Sequence, residues 1–313
     1  MNKRITLTGA NIVFLVFSIV FIIYQLVFAM IFGSEFITEN IFLVILINEF
    51  VIILIPVLIY TIIKKADFKE TFRIRKLNPI HGVIVFFLSI SAYPVAMMLN
   101  NIVVYFLQFV GDIPTQPVPI PKNLQELLVG LLVIAVSPAI CEELFHRGLL
   151  LSAYERRGSM KAVVFTAIFF GIFHFDITNF LGPVFLGLLI GYYVIRTNSI
   201  FAGMLAHFLN NAISEIIQYF FIDKSIPEKV TVSSQELGQL LLLGFASLIL
   251  TGMLLLIFKK VTEGKAVIIP SISRIGNDLA SILSHWPVIL IVILYIGLMI
   301  LFILSIALMK YIH

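Results

Sequence analysis

Four groups of ionisable and amide side chains interrupt otherwise apolar stretches of the chain. The densest is Glu142-Glu143-Leu144-Phe145-His146-Arg147. Downstream come Phe170-Gly171-Ile172-Phe173-His174, with Asp176 just beyond, and His207-Phe208-Leu209-Asn210-Asn211. The pair Asn48-Glu49 stands far upstream. Glu143 and Arg147 are four apart, so on a helix they stack on one face and pair. Glu142 points about 100° away from Glu143, which leaves its carboxylate free to face a site. A carboxylate waiting in apolar surroundings makes a general base once water reaches it. His174 and His207 add two imidazoles. Asn211, one turn beyond His207, presents an NH2 donor of the kind that stabilises an oxyanion. Base, imidazole and oxyanion donor are the parts of a hydrolytic site. The plainer reading is that both glutamates neutralise Arg147 and the histidines are hydrogen-bonded packing residues. His146 and Cys141 read as packing, since apolar surroundings do not activate a thiol. Asn48 and Glu49 read as support for the site or as helix glue, and Glu215 is expected near an outer interface.

These residues must be held by elements that live in lipid. Of the 313 residues, 60% are hydrophobic and 12% charged, and the mean hydropathy is +1.10. Soluble proteins carry about 25% charged residues, so a soluble domain, a disordered chain and a nucleic-acid binder are excluded. The formal charge of +4 suits loops that face anionic headgroups. With Cys141 as the single cysteine, an internal disulfide and a cysteine-based metal cluster are excluded. A spanning helix needs about 20 mostly apolar residues. Candidate spans fall at roughly 10–33, 41–63, 82–110, 125–154, 162–177, 178–195, 199–220, 236–258 and 286–309. The expected fold is an all-α, polytopic transmembrane bundle of about eight or nine spans. The stretches 162–177 and 178–195 are short, so they form a tight hairpin or one dips in without crossing. Gly187 and Gly191 make a small-xxx-small step for close helix approach. The start, Met1-Asn2-Lys3-Arg4, runs directly into the first apolar stretch, which reads as an uncleaved helix.

Cations orient the bundle. Sixteen of the 21 Lys and Arg fall on the side that holds the N-terminus, among them Lys3, Arg4, the run Lys64 to Lys76 and Lys259–Lys260. Lys122, Lys224, Lys229 and Lys310 fall on the other side, and Arg147 lies inside a span. The N-terminus is therefore expected in the cytoplasm. Counted from the inner ends of their spans, Glu142, His174, His207 and Asn211 lie roughly 12–18 Å deep at about 1.5 Å per residue. They share one layer on three helices, which argues for a single site. The proline-rich stretch 111–124 is expected to be an extended outer loop. Ser271 to His285 is either an amphipathic surface helix or a plain loop. Three regions follow: N-terminal helices over 1–120, a core over 121–222 and C-terminal helices over 223–313.

Glu142-Glu143-x-x-x-Arg147, Phe170-x-x-x-His174 and His207-x-x-x-Asn211, in that order within spans, resemble the signature of the CPBP family of intramembrane proteases. This family is also called Abi or CAAX-protease, and it includes the type II CAAX prenyl endopeptidases. The resemblance covers roughly 125–215. It implies that Glu142 and His174 activate the attacking water, that His207 and Asn211 stabilise the oxyanion, and that Arg147 supports the glutamate pair with Glu143. One departure is His146, where the family usually has an aromatic residue.

Two mechanisms are open. In one, Glu142 and His174 polarise water without a cofactor; in the other, Glu142, His174 and His207 bind zinc and leave a position for water. The metal-free version is favoured, because a zinc-bound Glu142 leaves no separate base. The expected activity is hydrolysis of peptide bonds in membrane-associated or lipid-modified peptides, at a site opening toward the cytoplasmic half of a bacterial plasma membrane. The partners expected are peptide substrate and membrane lipids, with no nucleic acid. The rivals are a proton- or cation-coupled transporter and a non-catalytic membrane immunity or scaffold protein.

Overall fold

The computed structural model describes residues 5–115, 119–221, 229–265, 268–271 and 273–309, with Ser34 described by its backbone alone. Lys3, Arg4, Lys224 and Lys310, and positions 116–118 of the proline-rich stretch, lie outside these residues. The described chain is an all-α bundle. Its helices are α1 (Leu7–Glu39), α2 (Ile41–Ile63), α3 (Pro79–Leu107), α4 (Leu124–Arg157) and α5 (Ser159–Phe173). They continue with α6 (Leu181–Thr197), α7 (Ile200–Phe221), α8 (Ser234–Val261), α9 (Ile275–Leu283) and α10 (Trp286–Met309). Among the described residues seven helices are long and apolar enough to cross a membrane, all but α5, α6 and α9. Their outward faces expose Met30, Leu242, Leu256 and Leu301, which water would not tolerate in such numbers and hydrocarbon does. This is a multi-pass membrane protein.

Local chemistry starts these helices. Asn78 caps α3 by accepting from the Ile80 amide at 2.9 Å, with Pro79 at the first helical position, where its missing N–H costs nothing. Ser233 and Glu236 close a reciprocal capping box on α8. Gly33, at φ 75°, breaks the helical path of α1 where the apolar stretch ends.

The short pair α5 and α6, of 15 and 17 residues, forms the tight hairpin. At about 1.5 Å per residue neither reaches the roughly 30 Å of a hydrocarbon core. A Cβ on Gly187 would stand 2.9 Å from the Ala167 Cα, and one on Gly191 would stand 3.2 Å from Val163. The two helices run antiparallel with almost nothing between them, as the small-residue step requires.

Three turns widen so that an amide reaches the carbonyl five residues back. They cover Ile47–Leu54 in α2 and both Leu131–Val136 and Leu144–Leu150 in α4. Pro56 and Pro138 follow the first two. A proline cannot donate to the carbonyl four residues back and its ring crowds that carbonyl, so the looser turn accommodates it. Such widened turns often occur at functional sites.

One feature goes beyond the sequence expectation and another decides between two alternatives. The outer stretch is pinned as well as extended: Ile113–Pro114 (β1) pairs antiparallel with Lys229–Val230 (β2). Gln108 exchanges hydrogen bonds with Val232 beside them, at 2.8 and 2.9 Å. On the other side of the bundle the amphipathic helix forms, as α9. Asp278 and Ile282 face inward, and Ile275, Leu279 and Leu283 face outward. Asp278 meets Lys161 at the start of α5 and Arg157, the latter at 2.7 Å.

Candidate active site

The widened turns of α4 set the site. Glu143 and Arg147, both fully buried, pair at 2.6 Å between Oε1 and Nη1. Two glycines serve the pair, one with space and one with a carbonyl. Gly203 of α7 lacks the Cβ that would stand 2.7 Å from Glu143 Oε2, and the Gly187 carbonyl of α6 accepts from Arg147 Nη2 at 3.4 Å. The guanidinium lies 4.5 Å from the ring centre of Phe170, within the range of cation–π attraction. A buried ion pair needs such extra contacts, since desolvation opposes it.

His207 of α7 joins the same carboxylate. Its Nδ1 lies 3.0 Å from Glu143 Oε1. That oxygen also accepts from Arg147, so in this contact His207 Nδ1 is the donor. The other nitrogen, Nε2, lies 3.9 Å from Glu142 Oε2. His174, at the end of α5, has Nδ1 at 2.7 Å from the Phe170 carbonyl. A carbonyl cannot donate, so Nδ1 again holds the hydrogen and Nε2 is left as a lone pair in the neutral ring.

Phe170 ties these groups together. The rings of His174 and His207 stand edge-on to it, at 5.1 and 5.6 Å between centres, while Arg147 covers it. His174 and Asn211 are half-buried, whereas Glu142 and His207 are buried.

Asn211 is anchored by a proline. Pro138 has no N–H for the Ile134 carbonyl, and the Asn211 side-chain amide donates to that carbonyl at 3.0 Å. One of its two N–H groups is spent there and the other remains. Its Oδ1 accepts from Asn210 at 3.2 Å.

Other expectations resolve as follows. Glu142 does not face open space. It is buried where this part of α4 packs against the widened turn of α2, which carries the buried Glu49. The sequence offered Glu49 only as support or glue, because 93 positions separate the two. His146 is fully buried, with neither ring nitrogen hydrogen-bonded among the described residues, between Phe145 and Phe170, each 4.9 Å away, and Phe173 at 4.7 Å. It packs as an aromatic ring, in keeping with the residue type it replaces. Cys141 is a buried free thiol. Glu215 is buried, with Oε2 2.6 Å from where a Gly130 Cβ would lie.

The zinc reading requires Glu142, His174 and His207 to converge as three ligands. Among the described residues no group of three His, Cys, Asp or Glu is placed to hold a metal ion. The 3.9 Å between Glu142 and His207 also exceeds the roughly 3.3 Å that tetrahedral zinc geometry sets between two ligand atoms. The donor set does not fit the ion, and no step is derived through it.

In this all-α membrane bundle Arg147, His174 and His207 thus meet at Phe170, with Glu142 beside His207 and Asn211 one turn beyond it on α7. Residues 124–213 match the family model described as type II CAAX prenyl endopeptidase Rce1-like. The match spans all three motifs and supports a CAAX-type intramembrane endopeptidase in general. No curated protein and no solved structure matches the chain.

Proposed function

We propose that the protein is an endopeptidase that hydrolyses membrane-associated or lipid-modified peptides with water activated by Glu142 and His174. The observation that supports this reading best is the 3.9 Å approach of Glu142 to His207 Nε2, with His207 held from behind by Glu143. A water between Glu142 and His174 Nε2 gives up a proton to the carboxylate as its oxygen attacks the scissile carbonyl. His207 and the remaining N–H of Asn211 stabilise the oxyanion. The proton on Glu142 then passes to the amide nitrogen as the C–N bond breaks.

The cation asymmetry supports a cytoplasmic N-terminus and a site reached from the cytoplasmic half of the membrane, with a bacterial plasma membrane as its home. Glu142→Gln and His174→Ala, assayed for cleavage of a lipid-modified peptide in proteoliposomes, test the proposal. Each is expected to lower the rate by about 10²–10⁴-fold with the fold intact. Full activity in either variant overturns this assignment of roles, and a transporter or scaffold role becomes the better reading. Metal analysis of the purified protein, with the assay repeated in chelator, tests the cofactor-free mechanism.

A further inference from the structure

The helix α9 belongs to no span, and the reaction as proposed makes no use of it. Contacts at both of its ends fix its level. Ahead of it, Ser273 Oγ accepts from Lys161 at 3.3 Å, and Asp278 in its first turn pairs with Arg157 at 2.7 Å. Just behind it, His285 Nδ1 accepts from the Asn11 side-chain amide at 3.0 Å, and His285 Nε2 lies 3.3 Å from Thr8 Oγ1. These partners all stand at helix ends. Arg157 is the last residue of α4, and Lys161 lies in the first turn of α5. Thr8 and Asn11 lie in the opening turns of α1, and Trp286 begins α10. The ends of spans mark where hydrocarbon gives way to headgroups. A helix of nine residues, about 13 Å long and tied to that level at both ends, lies in the plane of the interface and not along the bundle axis.

The sides of α9 divide into three sectors. At about 100° per residue, Ile275, Leu279 and Leu283 share one sector roughly 80° wide, and all three are exposed. Asp278 and Ile282, both buried, flank it where the helix meets the bundle. Asn277 is exposed on nearly the opposite side. A helix seated on a protein in water needs one apolar side and one polar side. Here a second apolar sector is left uncovered beside the first. It leads into Trp286, which with Ile289, Leu290 and Ile293 makes an exposed stripe along one face of α10. That stripe belongs to a span and is covered by lipid, and tryptophan favours the headgroup level.

We infer that α9 is an in-plane lipid-binding helix. Ile275, Leu279 and Leu283 enter the boundary between headgroups and acyl chains of the leaflet around the start of α10, while Asn277 faces water. The occupant of the uncovered sector is phospholipid, because the sector continues the lipid-facing stripe of α10 at the level of the span ends.

The single tryptophan makes the test direct. In a Trp286→Phe background, Leu279→Trp places the probe in the uncovered sector and Asn277→Trp places it on the opposite side. The full chain is reconstituted in phosphatidylcholine vesicles, with or without bromine on the upper acyl-chain carbons, and titrated with iodide present on both sides of the membrane. Leu279→Trp is expected to lose most of its fluorescence to the brominated lipid and little to iodide. Asn277→Trp is expected to show the reverse order. Leu283→Trp repeats the first reading should Leu279→Trp fail to fold. A probe in the uncovered sector that iodide quenches as strongly as it quenches Asn277→Trp faces water, which overturns the inference. Protection from both quenchers means that a second copy or another protein covers the sector, and overturns it as well.

Discussion

His207 is held by Glu143 and not by Glu142: its Nδ1 donates at 3.0 Å to Glu143 Oε1, the oxygen that also accepts from Arg147 at 2.6 Å. One buried carboxylate thus has two duties, neutralising a guanidinium and orienting an imidazole. The two can be separated. Glu143→Leu alone strands a buried Arg147, which costs about 3–5 kcal/mol, and thermal unfolding in detergent is expected to show it. The double variant Glu143→Leu with Arg147→Met removes the stranded charge and is expected to regain most of the stability. It is expected to remain inactive, because His207 still lacks its acceptor. Recovery of cleavage in the double variant would mean that Glu143 serves only Arg147.

Gly203 gives an independent handle on the same carboxylate. A Cβ there would stand 2.7 Å from Glu143 Oε2 and 2.9 Å from the Val194 side chain. Gly203→Ala must push one of them aside, at a cost of about 1–3 kcal/mol for overpacking. It is expected to lower both the unfolding temperature and the cleavage rate. Gly238→Ala serves as the control, since nothing lies within 4 Å of the added carbon. A Gly203→Ala protein indistinguishable from the parent in both measurements would show that the pocket around Glu143 has slack.

Much of this site is legible in the sequence for simple reasons. Glu143 and Arg147 are four apart and their helix is continuous enough for the pairing rule to hold. The hairpin of α5 and α6 follows from two short apolar runs and the Gly187–Gly191 step. What could not be read has equally physical causes. A turn that widens to five-residue hydrogen bonding leaves no periodic trace, so the burial of Glu49 where α2 packs against α4 has no signal beyond a glutamate in an apolar run. Pro138 as the reason for the Asn211 anchor was visible as a proline, but not its partner 73 positions away. In the sequence Phe170 is only one letter of a motif. Its place between Arg147, His174 and His207 is a tertiary fact, to which four residues of spacing contribute one contact. The strand pair of Ile113–Pro114 with Lys229–Val230 is too short and too distant in sequence to declare itself.

Asn211 has one N–H committed to Ile134 and one to spare. Asn211→Ala removes both and is expected to lower kcat by about 10²–10³-fold, the usual effect of deleting an oxyanion donor, with little change in KM. Asn211→Gln moves the amide outward by one carbon and is not expected to rescue, because the Ile134 carbonyl fixes where the amide must sit. Steady-state cleavage in proteoliposomes distinguishes the outcomes. A mere rise in KM would assign Asn211 to substrate binding.

The last prediction concerns α9, which lies outside the spans. Lys161 and Ser273, with Arg157 beside them, hydrogen-bond the Asp278 carboxyl and hold it well below the usual carboxylate range. A group whose acidity is strengthened by docking stabilises the docked form above its undocked value, about 3.9 for aspartate. That contribution fades as pH falls through the lower, docked value, so α9 is expected to stay seated from neutral pH down to about pH 4 and to loosen in stronger acid. Trp286, the single tryptophan, begins α10 three residues after α9 ends, and its fluorescence should report the movement. Asp278→Asn removes the charge at every pH and is expected to give the loosened signal at neutral pH, together with faster proteolysis within residues 268–285. A tryptophan signal in the parent that changes between pH 5 and 8, or an Asp278→Asn protein as protease-resistant as the parent, would show that the contacts to Lys161 and Arg157 do not seat this helix.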